Sequence, residues 1–362
     1  MKSLHSLFAP SAAAVALVIL SGCNPPGKTG SGGGGNSVAA ESPAARTYVA
    51  PGQKDEYYLF YSGGHSGQVF VAGLPSMRHL ATIPVFGRYP GTGYGYDEES
   101  KAMLGDYTWG DVHHPGLSKT DGLYDGRWLF VNDNANNRIA RIDLRDFKTK
   151  QILGPIPNSM GNHGSSFVTD NSEYVLVATR FSVPLPKGRY ADPNDYEKEF
   201  NGMVSGIRVD PKSGTMSVGW QIITPPFDWD LGSTGKGPSE GWAFWTSYNT
   251  EMAHDHLEAN ASQKDRDYAA IVNWRAAEAA VKAGQTTLMD GVSVIDPAKT
   301  PGVMYYLPVP KSPHGIDADP SGRWIVAAGK LQPVASVFDF EKIQAAIARK
   351  DFESEFRGVP VI

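Results

Sequence analysis

The chain has 362 residues with 33 Lys plus Arg and 38 Asp plus Glu, a formal net charge of −5 at pH 7, so no nucleic-acid partner is expected on electrostatic grounds. Gly numbers 40 and Pro 26, about 18% of the chain against roughly 12% in ordinary use, which disfavours a helical bundle because both residues are poor in helix interiors. An aromatic content of 11% excludes a disordered chain, and the single Cys, Cys23, excludes internal disulfides and Cys-paired metal sites.

Residues 1–23 read as an export signal. A basic Lys2 precedes an apolar stretch from Ala13 to Leu20, and Leu20-Ser21-Gly22-Cys23 resembles the lipobox of exported bacterial lipoproteins. In that family the Cys is lipidated and becomes the new N-terminus, which implies a periplasmic protein held to a membrane through Cys23. The alternative is a plain signal peptide with a chance Cys. The apolar run is too short for a permanent membrane span. Residues 24–47 are rich in Gly, Ser and Pro, including Gly32 to Gly35, and read as a flexible tether. Residues 48–362 are the expected folded body.

Within the body, short apolar runs alternate with turn signals. Trp128 to Val131 predicts a strand, Asn132 to Asn136 a turn, and Arg138 to Leu144 the hairpin partner, with Ala140, Ile142 and Leu144 alternating against Ile139, Arg141 and Asp143. Tyr174–Ala178, Gly206–Val209, Gly291–Ile295 and Trp324–Ala327 also predict strands, most of them rich in β-branched residues. The stretch from Ala259 to about Ala283 breaks the pattern. It is rich in Ala and charge, pairs Glu278 with Lys282 at i,i+4 and ends at Gly284, which predicts a helical excursion on the outside. Phe338 to Ala348 predicts a strand leading into a helical turn, and nothing near Ile362 reads as a closing strand.

A loose repeat runs through these strands. His114-Pro-Gly116, His163-Gly164 and His314-Gly315 each precede a tight turn and an aromatic-led strand at Trp128, Tyr174 and Trp324, at distances of 14, 11 and 10 residues. A radial array of small antiparallel sheets would set the first strand of each unit on a common axis and bring the histidines to one end of a channel. The plain alternative is a β-sandwich with chance His-Gly pairs.

The chemistry-bearing residues follow from that plan. In Gly110-Asp-Val-His-His-Pro-Gly116, both His113 and His114 can face one site only where strand alternation fails, and Pro115-Gly116 is expected to turn the chain there. Asp111 is placed to hold an imidazole N–H. His163 and His314 each have a Gly neighbour, which is expected to let the backbone come close to a bulky centre. A surface His pair and buried structural histidines are the alternatives. Imidazole as the ligand favours copper or another late first-row metal. Between Trp245 and Asp267, the carboxylates Glu251, Asp255, Asp265 and Asp267 suit a calcium site that pins a loop, while His254 and His256, at i,i+2, read equally as a metal-binding pair on a strand face or as loop surface. Neither a nucleophile elbow nor a phosphate-binding loop is present.

At these motifs the sequence resembles nitrous-oxide reductase, in its N-terminal propeller domain, from about Tyr57 onward. The sharpest matches are Gly110-Asp-Val-His-His-Pro115, Leu129-Phe-Val-Asn-Asp133 through Ala140-Arg-Ile-Asp-Leu144, Thr246 to Glu251, and Pro313-His-Gly315. The resemblance implies an all-β, seven-bladed β-propeller type, incomplete here at about five blades. It implies a sulfide-bridged four-copper cluster with seven His ligands, of which His113, His114, His163 and His314 match the first four. It also implies calcium at Tyr248 through its backbone, Glu251 and Asp265, while Ser312 stands where the family has Asn. The family carries a C-terminal cupredoxin domain with a two-copper electron-entry site, packs as a head-to-tail homodimer, takes electrons from a periplasmic c-type cytochrome or cupredoxin, and reduces N2O to N2 and water in the last step of denitrification. No His follows His314 and no second Cys is present, so the chain is expected to be a truncated or split product that is inactive alone. The competing readings are a non-catalytic propeller lipoprotein acting as a binding scaffold, and a different His-rich metalloenzyme on a similar fold.

Overall fold

The computed structural model describes residues 42–250, 267–311 and 313–362. A first unit, ending at Arg46, contributes the short helix Pro43–Arg46. Everything that follows concerns the second unit, Thr47–Ile362.

The chain lays down five sheets largely in order. The first holds β1 (Tyr57–Ser62), β2 (Gln68–Leu74) and β3 (His79–Pro84). The second holds β4 (Val112–Thr120), β5 (Leu123–Asp133), β6 (Arg138–Asp143) and β7 (Lys148–Leu153). The third is built from β8 (Ser165–Val168), β9 (Tyr174–Ala178), β10 (Val183–Pro184), β11 (Phe200–Val209) and β12 (Met216–Thr224). The fourth starts with β13 (Phe227–Thr234), β14 (Trp242–Thr250) and β15 (Tyr268–Asn273). The chain then returns to the third sheet with β16 (Thr287–Met289) and β17 (Val292–Ile295), and re-enters the fourth as β18 (Met304–Pro308). The fifth sheet is β19 (Gly315–Ala318), β20 (Trp324–Ala328) and β21 (Ala335–Asp339). A last hairpin, β22 (Ser354–Phe356) and β23 (Val359–Val361), joins the fourth sheet, with β23 parallel to β18.

The first strands of successive sheets pack side by side: β1 on β4, β4 on β8, β8 on β13 and β13 on β19. The sheets face one another around that row, with an apolar layer in each gap. Val69, Val71 and Ile83 meet Leu129, Val131, Ala140 and Ile142 between the first and second sheets. Trp128, Phe130 and Ile139 meet Val175, Val177 and Ile207 between the second and third. Leu176, Val204 and Trp220 meet Trp229, Trp245 and Tyr268 in the next gap, and Phe244, Ile271 and Leu307 meet Ile316, Ile325 and Ala327 in the last. This is an all-β, propeller-type architecture with open sheets. Tyr57, Leu59 and Tyr61 on the first sheet, and Trp324, Val326 and Val337 on the fifth, remain exposed.

The stacking explains where the strand reading departs from the structure. The β5–β6 hairpin forms as expected, with Val131 opposite Ala140, but every residue of β6 is buried. Apolar residues of one face meet the first sheet and those of the other meet the third, so no face is left for water. The expected excursion contains a full strand, β15, and the helix begins only at Trp274. Asn273 caps it by accepting from Ala276 N–H at 2.9 Å. The Glu278–Lys282 pair forms at 3.5 Å, yet Trp274, Ala277 and Ala280 are buried against the core rather than lying outside. The chain end, where no closing strand was expected, forms the β22–β23 hairpin, and Val359 and Val361 bury their side chains. Among the described residues no helix is long and apolar enough to cross a membrane.

Candidate metal centre

The centre sits at the starts of the inner strands, and each of the three strands that builds it carries an irregularity there. In β4, Val112 pairs with Asp133 and Pro115 with Val131, so three residues span where two would suffice. That extra residue is a β-bulge, and it lets His113 and His114 both face the axis. The bulge does what the expected Pro115-Gly116 turn was meant to do, and those two residues instead continue the strand. In β8 the shift falls between Ser165 and Phe167, with Ser166 left-handed at φ +64°. In β13 the pairing slips between Trp229 and Gly232.

His113, His114 and His163 come together: one ligand nitrogen from each lies within 4.8 Å of the others. His113 Nε2 and His163 Nε2 are 3.0 Å apart. The ring centroids of His113 are 4.4 Å from His114 and 4.7 Å from His163. His314 stands beside this group rather than in it, with Nε2 3.3 Å from Asp230 Oδ2. Asp111 does not hydrogen-bond His113, since its Oδ2 is 3.9 Å from His113 Nδ1. It is engaged elsewhere: its N–H donates to Asp133 Oδ1 at 2.8 Å and its Oδ2 accepts from Asn134 Nδ2 at 3.1 Å.

A buried polar frame fixes the backbone around the rings. Asn132 accepts from His114 N–H at 2.6 Å and donates to Asn162 O at 2.6 Å, while Asn162 donates to Arg138 O at 2.9 Å. This ties β4, β5, β6 and the His163 loop together through two buried amides. Gly164 is the one Gly neighbour the packing demands. A Cβ there would lie 2.6 Å from Asp230 O and 2.8 Å from Trp229 O. Gly315 is under no such demand, because its Cβ would meet only Leu231 Cβ at 3.5 Å.

Burial sets the charge state of the rings. It lowers His114 to about 3, helped by the neighbouring imidazoles. It lowers His163 to about 4 against the pull of Asp230, and it lowers His113 in the same direction. All three rings are therefore neutral at pH 7, the form in which an imidazole nitrogen offers a lone pair to a metal. His114 Nε2 is buried without a hydrogen-bond partner among the described residues, and two Nε2 atoms face each other at 3.0 Å. A cation between such rings would satisfy both features, so the residues present fit a metal that takes nitrogen ligands.

Two carboxylates here escaped the sequence reading. Asp228 and Asp230 alternate with Phe227, Trp229 and Leu231 on β13, and both are buried. Asp230 Oδ1 is 3.2 Å from His163 Nδ1, and Asp228 Oδ1 is 3.7 Å from it. Burial pushes Asp228 up to about 7 against the Arg180 guanidinium 3.8 Å away, and raises Asp230 as well. The available signal was two acids inside an apolar strand, where an unneeded charge is costly.

Of the residues expected to hold calcium, Glu251 and Asp265 lie outside the described residues, as do Cys23, His254, His256 and Ser312. Tyr248 lies on β14. Nearby, Asp267 is buried and its Oδ1 accepts from Ser247 Oγ at 3.2 Å.

No protein-family profile matches the chain. It is 38% identical over 317 residues to a nitrous-oxide reductase of Pseudomonas fluorescens, covering 85% of this chain and 48% of that protein. It is 38% identical over 323 residues to the enzyme of the same name from Stutzerimonas stutzeri, covering 86% of this chain and 49% of the relative. The chain thus spans about half the length of the curated relatives it matches. Among solved structures, hydrazine synthase of Kuenenia stuttgartiensis is similar with a TM-score of 0.51 at 12% identity, covering 78% of this chain and 67% of that one, a likeness of fold alone.

Proposed function

We propose that this chain, related by sequence to about half of nitrous-oxide reductase, supplies part of a centre that reduces nitrous oxide to dinitrogen and water. The reaction breaks the N–O bond, consumes two electrons and two protons, and releases the oxygen as water. The observation that carries the reading is the set of three neutral imidazoles within 4.8 Å at the inner strand ends, on a chain whose relatives bear that enzyme's name.

His113, His114, His163 and His314 would hold copper of a sulfide-bridged cluster. Copper bound there would supply the electrons and polarise the oxygen of an otherwise inert substrate. The protein's part is to keep the rings neutral by burial, to fix their backbone through Asn132 and Asn162, and to keep bulk water from the His163 side. Asp228, near its midpoint at neutral pH, is a group that can hold or release a proton 3.7 Å from His163 Nδ1. The wider reading follows the family. Tyr248, Glu251 and Asp265 bind calcium, electrons come from a periplasmic c-type cytochrome or cupredoxin, and the working form is a homodimer. Cys23 carries the lipid that holds the protein to a membrane in the periplasm.

The test is reconstitution with Cu(I) and sulfide, counting copper per chain and following N2O loss. Copper retained by the parent and lost in His114→Ala supports the centre. Copper near zero favours a binding scaffold, and copper retained without any N2O loss in an assembly completed to the relatives' full length favours another metalloenzyme.

A further inference from the structure

Asp230 is fully buried, and neither carboxylate oxygen has an aligned hydrogen-bond donor among the described residues. A buried acceptor pair left in this state is rare and calls for a reason. The two oxygens nevertheless point at two imidazoles from different sheets: Oδ1 stands 3.2 Å from His163 Nδ1 and Oδ2 3.3 Å from His314 Nε2. His163 precedes β8 and His314 precedes β19, while Asp230 lies on β13, the strand that packs between those two. The β13 irregularity falls between Trp229 and Gly232, where it sets the direction of the Asp230 side chain.

We infer that Asp230 is the positioning residue of the loaded centre, a single carboxylate that orients His163 and His314 together and balances the charge their metal brings. This rests on the metal-centre reading above. A ring that gives one nitrogen to a metal presents its other N–H as a stronger donor, and carboxylates commonly take that role. For His163 the assignment leaves Nε2, the atom facing His113, toward the metal. For His314 it leaves Nδ1. In the metal-free chain the carboxylate faces the two imidazoles without an aligned side-chain donor among the described residues. With metal, the same acid gains two charge-assisted partners. The residue therefore acts in the loaded state and not in holding the fold.

That separation makes the inference testable with Asp230→Asn, which keeps shape and removes charge. Cu(I) affinity of the full chain is measured by competition with a chromophoric chelator, and the melting temperature of the metal-free chain by calorimetry. The expected result is Cu(I) binding weakened 10- to 100-fold with a metal-free melting temperature unchanged or raised. In chain labelled with 15N at histidine, the Cu(I)-loaded parent shows His163 protonated at Nδ1 and His314 at Nε2, and the variant loses that fixed pattern. Parent-like Cu(I) affinity in the variant, or a lowered metal-free melting temperature, overturns the inference. If the parent itself fails to bind Cu(I), the reading of the centre fails instead.

Discussion

Replacing Gly164 with Ala isolates how the backbone supports His163. The added Cβ would lie 2.6 Å from Asp230 O, 2.8 Å from Trp229 O and 2.9 Å from Trp245 Cδ1. Two of those atoms are backbone oxygens of the neighbouring strand and cannot swing aside. Nor can the loop retreat freely, because Gly164 O accepts from Ala178 N–H at 2.7 Å and from Trp245 Nε1 at 3.0 Å. Overpacking of this kind costs about 1–3 kcal/mol, and one strained hydrogen bond adds about 1 kcal/mol. For a unit as long as Thr47–Ile362 each kcal/mol moves the melting temperature by roughly 1–2 °C, so calorimetry of the metal-free chain should show a fall of several degrees. Gly315→Ala is the matched control. Its Cβ meets only Leu231 at 3.5 Å, and its effect should stay within about 0.5 kcal/mol. Equal shifts in the two variants would refute the claim that β13 presses on the His163 loop and not on His314.

Other outcomes follow from the same geometry. His114→Ala should remove copper from the reconstituted chain, checked by metal analysis, and copper content equal to the parent's would dismiss His114 as a ligand. The folded-state values of about 3 for His114 and about 4 for His163 lie below the unfolded value of about 6.5. The unfolded chain therefore takes up protons first, and stability carried by the neutral rings is full above pH 6.5 and lost as pH falls toward 4. Asp228, raised to about 7, gives the opposite slope, so the signal is the difference between parent and His114→Gln in denaturant titrations. That difference should shrink by about 1–2 kcal/mol from pH 6.5 to 5, and one constant with pH would contradict the burial of His114. Cys23→Ser should move the protein from the membrane fraction to the soluble periplasm on fractionation, and continued membrane association would argue against lipidation.

Much of this architecture could be read from residue order, and the parts that could not share a cause. The β5–β6 hairpin was legible because its turn residues are local signals, with Asn137 taking the left-handed φ of +54° that Asn tolerates. The histidines were legible because each sits next to a Gly just ahead of a strand or inside a His-His pair. Their convergence needed the radial arrangement, which the repeat suggested. Asp228 and Asp230 escaped because Phe227–Thr234 was not among the stretches read as strands, and two acids between apolar residues gave no sign that both are buried. β15 was hidden because its stretch was read as part of the helical excursion, and its Tyr268 to Val272 run is buried throughout and carries no polar face to mark a strand. Gly315 misled in the other direction: a Gly beside a His suggested a tight fit that only Gly164 has.

The one added residue in β4 also sets the phase of the strand beyond it. Past the bulge, Leu117 pairs with Leu129 and packs in the layer shared with the first sheet. Losing a residue at His113 would both strip the centre of a ring and re-thread the rest of the strand, turning Leu117 toward the wrong neighbour. A deletion here therefore cannot strip the centre and spare the scaffold, whereas a substitution that keeps the residue count leaves the phase of β4 in place.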